Sequence, residues 1–428
     1  MRTTLLNICI SALLFCSQAV KAQADVQTPD HVYMKNIRTV KFTRAGDLLS
    51  MPIITLNSGE RLQLSFDDLD ADVKTYNYTI VHCNADWTRS NYNTFDYLRG
   101  FSESRIQNST FSRMTLQRYT HYTLDLPNSN CTPVKSGNYI LRVYLNSDTT
   151  QMAFTRRFMV VDMKASTGGF ISTPINPKTY KTHQKINFTI NVKALNVNNP
   201  FNQVKVVVMQ NYRWDNAITG IKPMFIKGDV LEYNAENDVQ FPAGKEWRWI
   251  DLRSLRLQTE RVAHTDYMKT GTVVYAQPDP ERGNGRYFYI GDINGRFQPI
   301  MLDNYDVNTE GDYATVKFTY PSPEPYAGYD LYLFGELTNY ECNEENRLKY
   351  NGERRAYEGS LFLKQGFYNY IYGLIDRTTN GKLDTENTEG NWWEAENNYT
   401  VLVYYRSLGG RADELVGVMQ MNSLKNRK

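Results

Sequence analysis

The spacing of its apolar residues constrains this chain more than any other feature. Residues 76–81, 139–145, 154–161, 186–192, 204–209, 313–320, 331–334, 367–372 and 399–405 alternate or run apolar over strand lengths, with turn residues between them. No window longer than about two helical turns keeps apolar residues at three-and-four spacing behind a cap, so helix is expected to be scarce. The 31 Tyr, 19 Phe and 6 Trp point the same way, because aromatic side chains favour pleated surfaces. Two hairpins are expected. One runs from Tyr287-Phe288-Tyr289-Ile290 through Asp292-Ile293-Asn294-Gly295 into Arg296-Phe297, and the other turns at Asn351-Gly352 between Tyr350 and residues 357–363.

Short strands at roughly 8–12-residue spacing imply an all-β fold of tandem immunoglobulin-like antiparallel β-sandwich domains with little helix. A chain of 428 residues exceeds what one core supports. The expected division is a signal peptide over 1–22, an N-terminal β-sandwich over 23–165, a middle β domain over 166–304 and a C-terminal immunoglobulin-like sandwich over 305–428. Ser166-Thr167-Gly168-Gly169 reads as the linker between the first two domains.

Arg2 followed by an apolar run over 5–15 has the length of an export signal, too short to span a bilayer. Small residues at Ala19 and Ala22 place cleavage between Ala22 and Gln23. Leu13-Leu14-Phe15-Cys16 imitates a lipid-attachment box, but Phe15 stands where a small side chain is required. Cleavage removes Arg2 and Lys21 from 48 basic residues and none of the 46 acidic ones, so the remaining chain is nearly neutral. That argues against nucleic acid or anionic lipid as partner, since both need a basic surface. A mean hydropathy of -0.54 argues against insertion into a membrane. Of the three later cysteines, Cys83 and Cys131 are the candidate disulfide in an oxidising compartment, with Cys342 left odd. Three buried thiols are the alternative.

No catalytic, cofactor or metal residues are assigned. In His82-Cys83-Asn84-Ala85-Asp86-Trp87 the imidazole and thiol are strand neighbours and therefore face opposite ways. The chain lacks H-E-x-x-H, G-x-S-x-G and phosphate-loop patterns. Asp67, Asp68, Asp70 and Asp72 read as a solvated turn. Asp376-x-Thr378-x-Asn380-Gly381-x-Leu383-Asp384 imitates a calcium loop but has Asn387 where a bidentate Glu is needed. Tyr340 and the adjacent pair Trp392 and Trp393 are the candidate interface or sugar-stacking aromatics, strand alternation exposing one of the two indoles.

The stretch from Leu331-Tyr332-Leu333-Phe334-Gly335 through Gly366-Phe367-Tyr368-Asn369-Tyr370 resembles the immunoglobulin-like glycogen-binding module. Taken together, His82-Cys83-Asn84-Ala85-Asp86-Trp87, Ser136-Gly137-Asn138-Tyr139-Ile140-Leu141, Arg156-Arg157-Phe158, Gly335-Glu336-Leu337-Thr338-Asn339-Tyr340 and Leu363-Lys364-Gln365-Gly366-Phe367-Tyr368 resemble the type IX secretion system plug proteins of Bacteroidetes. The resemblance spans nearly the whole exported chain. It implies a non-enzymatic periplasmic subunit on the inner face of the outer membrane, which closes the periplasmic end of the translocon β-barrel while no substrate occupies the channel. It implies neither cofactor nor small-molecule substrate. The competing reading is a periplasmic or surface glycan-binding β-sandwich protein.

Overall fold

In the computed structural model, residues 30–303, 305–379 and 381–428 are described. Cys16, the Ala22/Gln23 cleavage site and Asn380 of the calcium-like loop lie outside them. The described chain is almost all strand, and its three α-helical turns, Thr94–Tyr97, Pro200–Gln203 and Val307–Glu310, have four residues each. None of its helices is long and apolar enough to cross a membrane.

Three sandwiches result. In the first, a sheet built on Tyr76–Cys83, Gly137–Leu145 and Met152–Val161 faces a second sheet of Ile37–Arg44, Leu62–Asp68, Thr120–Leu126 and Asn108–Phe111. Period-2 alternation sends Leu62, Leu64 and Phe66 inward from one sheet to meet Tyr76, Tyr78 and Ile80 from the other. Phe66 stacks on Tyr122 at 5.0 Å and meets Phe154 edge-on at 4.9 Å, the offset and T-shaped geometries that ring quadrupoles favour.

The second sandwich pairs a sheet containing Ser166–Ser172, His183–Asn191 and Val230–Tyr233 with a sheet of Val204–Gln210, Asn398–Tyr405 and Glu414–Asn422. Two expectations change here. The Ser166–Gly169 stretch is an edge strand rather than a linker turn. Gly169 serves close approach, since a Cβ there would lie 2.8 Å from Asn187 O and 2.9 Å from Met419 Cε. The unit expected over 305–428 is also not continuous. Val204 pairs with Tyr405 and Gln210 with Tyr399, in unbroken register. The last two strands therefore complete the middle sandwich and not the one before them.

The third sandwich is inserted into the second, beginning near residue 248 and not at 305. Its ladder runs Arg248–Asp251, Gly366–Asp376, Tyr329–Phe334, Arg347–Asn351, Ala356–Lys364, Tyr313–Pro321, Gly271–Ala276, Val262–Met268, folded around Phe318, Leu331, Leu333, Tyr370 and Tyr372. The Asn351-Gly352 hairpin forms as expected, with Tyr350 opposite Tyr357. The other hairpin does not. Residues 287–290 form no strand, and Phe288, Tyr289 and Ile290 are 66%, 56% and 43% exposed.

Candidate functional site

Groups that could perform chemistry are taken up in packing. His82 is fully buried against Tyr92, Tyr97 and Tyr139, and its Nε2 lies 3.1 Å from Ser136 O. Burial holds its pKa down at about 4, so it stays neutral. Cys83 and Cys131 are free buried thiols, and the expected disulfide is absent. Cys131 sits in the first core with Tyr78 and Tyr139, whereas Cys83 follows the core-facing His82 and so turns to the other face of its strand, where Arg142 and Arg157 act on it. Burial pushes both thiols up to about 12. The Asp376 carboxylate accepts from Thr378 N and Thr379 N within its own turn. Among the described residues no group of three or more His, Cys, Asp or Glu could hold a metal.

Part of the buried polar chemistry lies at the seams between the sandwiches. Asp67 and Asp68, expected in solvent, are fully buried. Asp67 Oδ2 accepts from Lys364 Nζ and Tyr313 Oη of the third sandwich, each at 2.6 Å, and Oδ1 lies 2.6 Å from His121 Nδ1. Burial alone would raise the Asp67 carboxyl, but Lys364 and His121 outweigh it and hold the pKa below the usual range. Nearby, Tyr119 Oη donates to Gly311 O at 2.8 Å, and the backbone N–H groups of Leu116 and Gln117 donate to Asp312. Lys41, 2% exposed, donates to Glu336 at 2.7 Å and to Phe297 O. Burial still lowers its pKa, in spite of Glu336.

Between the first and second sandwiches the seam is apolar. Met159 and Val161 pack with Val207, Met209, Leu402, Tyr404 and Leu415. Each fully buried large side chain contributes roughly 1.5–3 kcal/mol, more than an exposed ion pair, worth about 0–1 kcal/mol, so the apolar contact dominates here. Asp413 anchors its rim, accepting from Ala85 N, Lys205 Nζ and Arg406 Nε. Arg406 also reaches Asn84 Oδ1, so the turn after His82-Cys83 is a docking element between sandwiches.

The candidate aromatics do not form one platform. Tyr340 is packed on Phe334 and donates to Gly295 O at 3.3 Å, lining a cleft where the three sandwiches meet. Trp392 stacks on Tyr287, and Arg427 lies 4.8 Å over Trp393. Both indoles stand in a turn and are half-buried, so strand alternation does not expose one of them. Two features had no signal in the sequence. One is the Asp67 network, in which Tyr313 and Lys364 lie 246 and 297 residues away. The other is a carboxylate cluster of Glu246, Asp292 and Glu396 where the third sandwich leaves and rejoins the second, in which burial and mutual repulsion push Glu246 up to about 6 and Asp292 to about 7.

Residues 37–162 match the signature described as the type 9 secretion system plug protein 1st domain, a span that ends with the last strand of the first sandwich. The crystal structure of a hypothetical protein from Parabacteroides merdae is 35% identical, over 92% of this chain and 98% of that one, with a TM-score of 0.88. The chain belongs to the type IX secretion system plug family. Plug-family proteins are non-enzymatic secretion components, so membership ties this chain to type IX secretion, to the Bacteroidetes cell envelope and to other components of that system. The 0.88 likeness extends to all three sandwiches of this plug-family chain, beyond the span of the signature. A match to trypsin-activated alpha-2-macroglobulin from Escherichia coli, 10% identical over 91% of this chain and 29% of that one with a TM-score of 0.17, carries no weight. No curated protein sequence matches.

Proposed function

We propose that this chain is the periplasmic stopper of the type IX translocon. It closes the periplasmic end of the outer-membrane β-barrel while the channel is empty, and it does so by shape and contact without catalysis. One observation carries the reading beyond family membership. The seams join all three sandwiches to one another, the first to the second through apolar packing and the first to the third through buried charge. A body that blocks a wide pore must resist deformation, and seams that bury ion pairs leave no low-cost hinge, because separating such a pair strands a charge. The cap must also release when cargo arrives, which favours a contact rich in tyrosine over one built on buried charge.

The glycan-binding alternative needs an open aromatic shelf, and Tyr340, Trp392 and Trp393 are each engaged by neighbours. Affinity purification of the tagged chain from solubilised outer membranes tests the plug reading. Recovery of a very large β-barrel supports it, and repeated recovery without any barrel contradicts it.

A further inference from the structure

The cleft at the meeting point of the three sandwiches encloses about 270 Å3. Three arginines line it, and their guanidiniums face rings and neutral oxygens instead of carboxylates. Arg157 lies 5.0 Å from the Trp87 ring and 5.3 Å from that of Trp214, with its Nε buried and without a hydrogen-bond partner. Arg296, 6% exposed, lies 4.0 Å over the Tyr212 ring. Arg156, 7% exposed, donates to Thr155 O and Asn339 Oδ1.

The acids that line the same cleft are committed to other groups. Glu336 takes Lys41, Asp215 takes Arg213, Glu341 takes His31 and Asp30 accepts from the Arg157 backbone N–H. Desolvated guanidinium is costly, and burial lowers the pKa of both Arg156 and Arg157, although Asp30, and for Arg156 also Glu336 and Glu341, pull the other way. An anion entering the cleft recovers that cost through charge-assisted hydrogen bonds. Met51, Met159, Trp214 and Tyr340 supply apolar and aromatic wall, beside the hydroxyl side chains of Thr43 and Ser50. A bare phosphate would leave them uncovered.

We propose that this cleft binds a carboxylate carried on an apolar or aromatic group. Arg157 and Arg296 take the carboxylate, and the methionine and aromatic walls take the group beside it. The site is independent of the plugging role and does not require the barrel. Two sources offer the same chemistry, a free organic acid and the C-terminal residue of a peptide.

Calorimetric titration of the full exported chain tests this with four probes at about 1 mM: phenylacetate, a short peptide ending in phenylalanine, the same peptide as its C-terminal amide, and inorganic phosphate. At least one of the two acids should bind, the amide at least about tenfold more weakly than its acid, and phosphate not at all. Tighter binding of the peptide acid than of phenylacetate assigns the peptide terminus as the source, and the reverse assigns the free acid. Arg296→Gln, with a thermal melt to show that it folds, should weaken the preferred acid about tenfold. If that variant does not fold, Arg157→Lys, which keeps the charge but loses the planar stacking, should do the same. Absence of binding by both acids, equal binding of acid and amide, binding of phosphate as strong as that of the acid, or full affinity in a folded variant would each overturn the assignment.

Discussion

Asp67 and Lys364 meet at 2.6 Å with both side chains withdrawn from water, and such a pair is tolerated only while both members are present. Asp67→Ala leaves the ammonium uncompensated and should cost about 3–5 kcal/mol in urea unfolding. Glu246 behaves in the opposite sense. Its Oε1 accepts from Tyr287 Oη and Glu396 N, while Oε2 is buried without a partner. Its pKa is raised to about 6 by burial, then by Glu396. Below the unfolded value of about 4.5 the group is neutral in both states and costs nothing. As pH climbs from there through about 6 the unfolded chain ionises more readily, and stability falls. Glu246→Gln should therefore leave melting unchanged below pH 4 and stabilise the protein by about 1–2 kcal/mol above pH 7, and a melt series across that range reads the difference directly. Neither residue could be assigned its environment from sequence. A run of acids looks solvated when its partner is 297 positions away.

At the scale of elements, the strand signal was legible as alternation where one face is buried, as in Tyr313–Pro321, and as a continuous apolar run where both faces are, as in Val204–Gln210 and Asn398–Tyr405. It failed at residues 287–290, where an aromatic run imitates a strand but its neighbours pair elsewhere. There Tyr287 is anchored on Glu246 and Trp392, while Phe288 and Tyr289 project outward. Solvent-exposed rings on an unpaired loop suit contact with another protein. Replacing Phe288 and Tyr289 together with Ser should change stability by less than about 0.5 kcal/mol yet reduce recovery of the barrel in affinity purification. The cysteine reading erred for a related reason: sequence separation carries no information about which face of a strand a thiol occupies. Cys83 and Cys131 should resist alkylation in the folded protein and react only in denaturant, with no mass difference between reduced and non-reduced samples.

For the whole molecule, the all-β class followed from strand rhythm, but the connectivity did not, because an insertion leaves no local trace in the pattern. Strands from both sides of the third sandwich complete the second. A chain ending at residue 390 should therefore lose the middle sandwich to limited proteolysis while a fragment near 30–162 survives. The proposed stopper role rests on the seams that hold the sandwiches together. Uptake of a large antibiotic normally excluded by the outer membrane, measured in cells lacking this chain and in cells lacking both it and the translocon barrel, tests that role most directly. Uptake should rise in the first strain and return to the wild-type level in the second. Unchanged uptake when the chain alone is deleted would contradict the account.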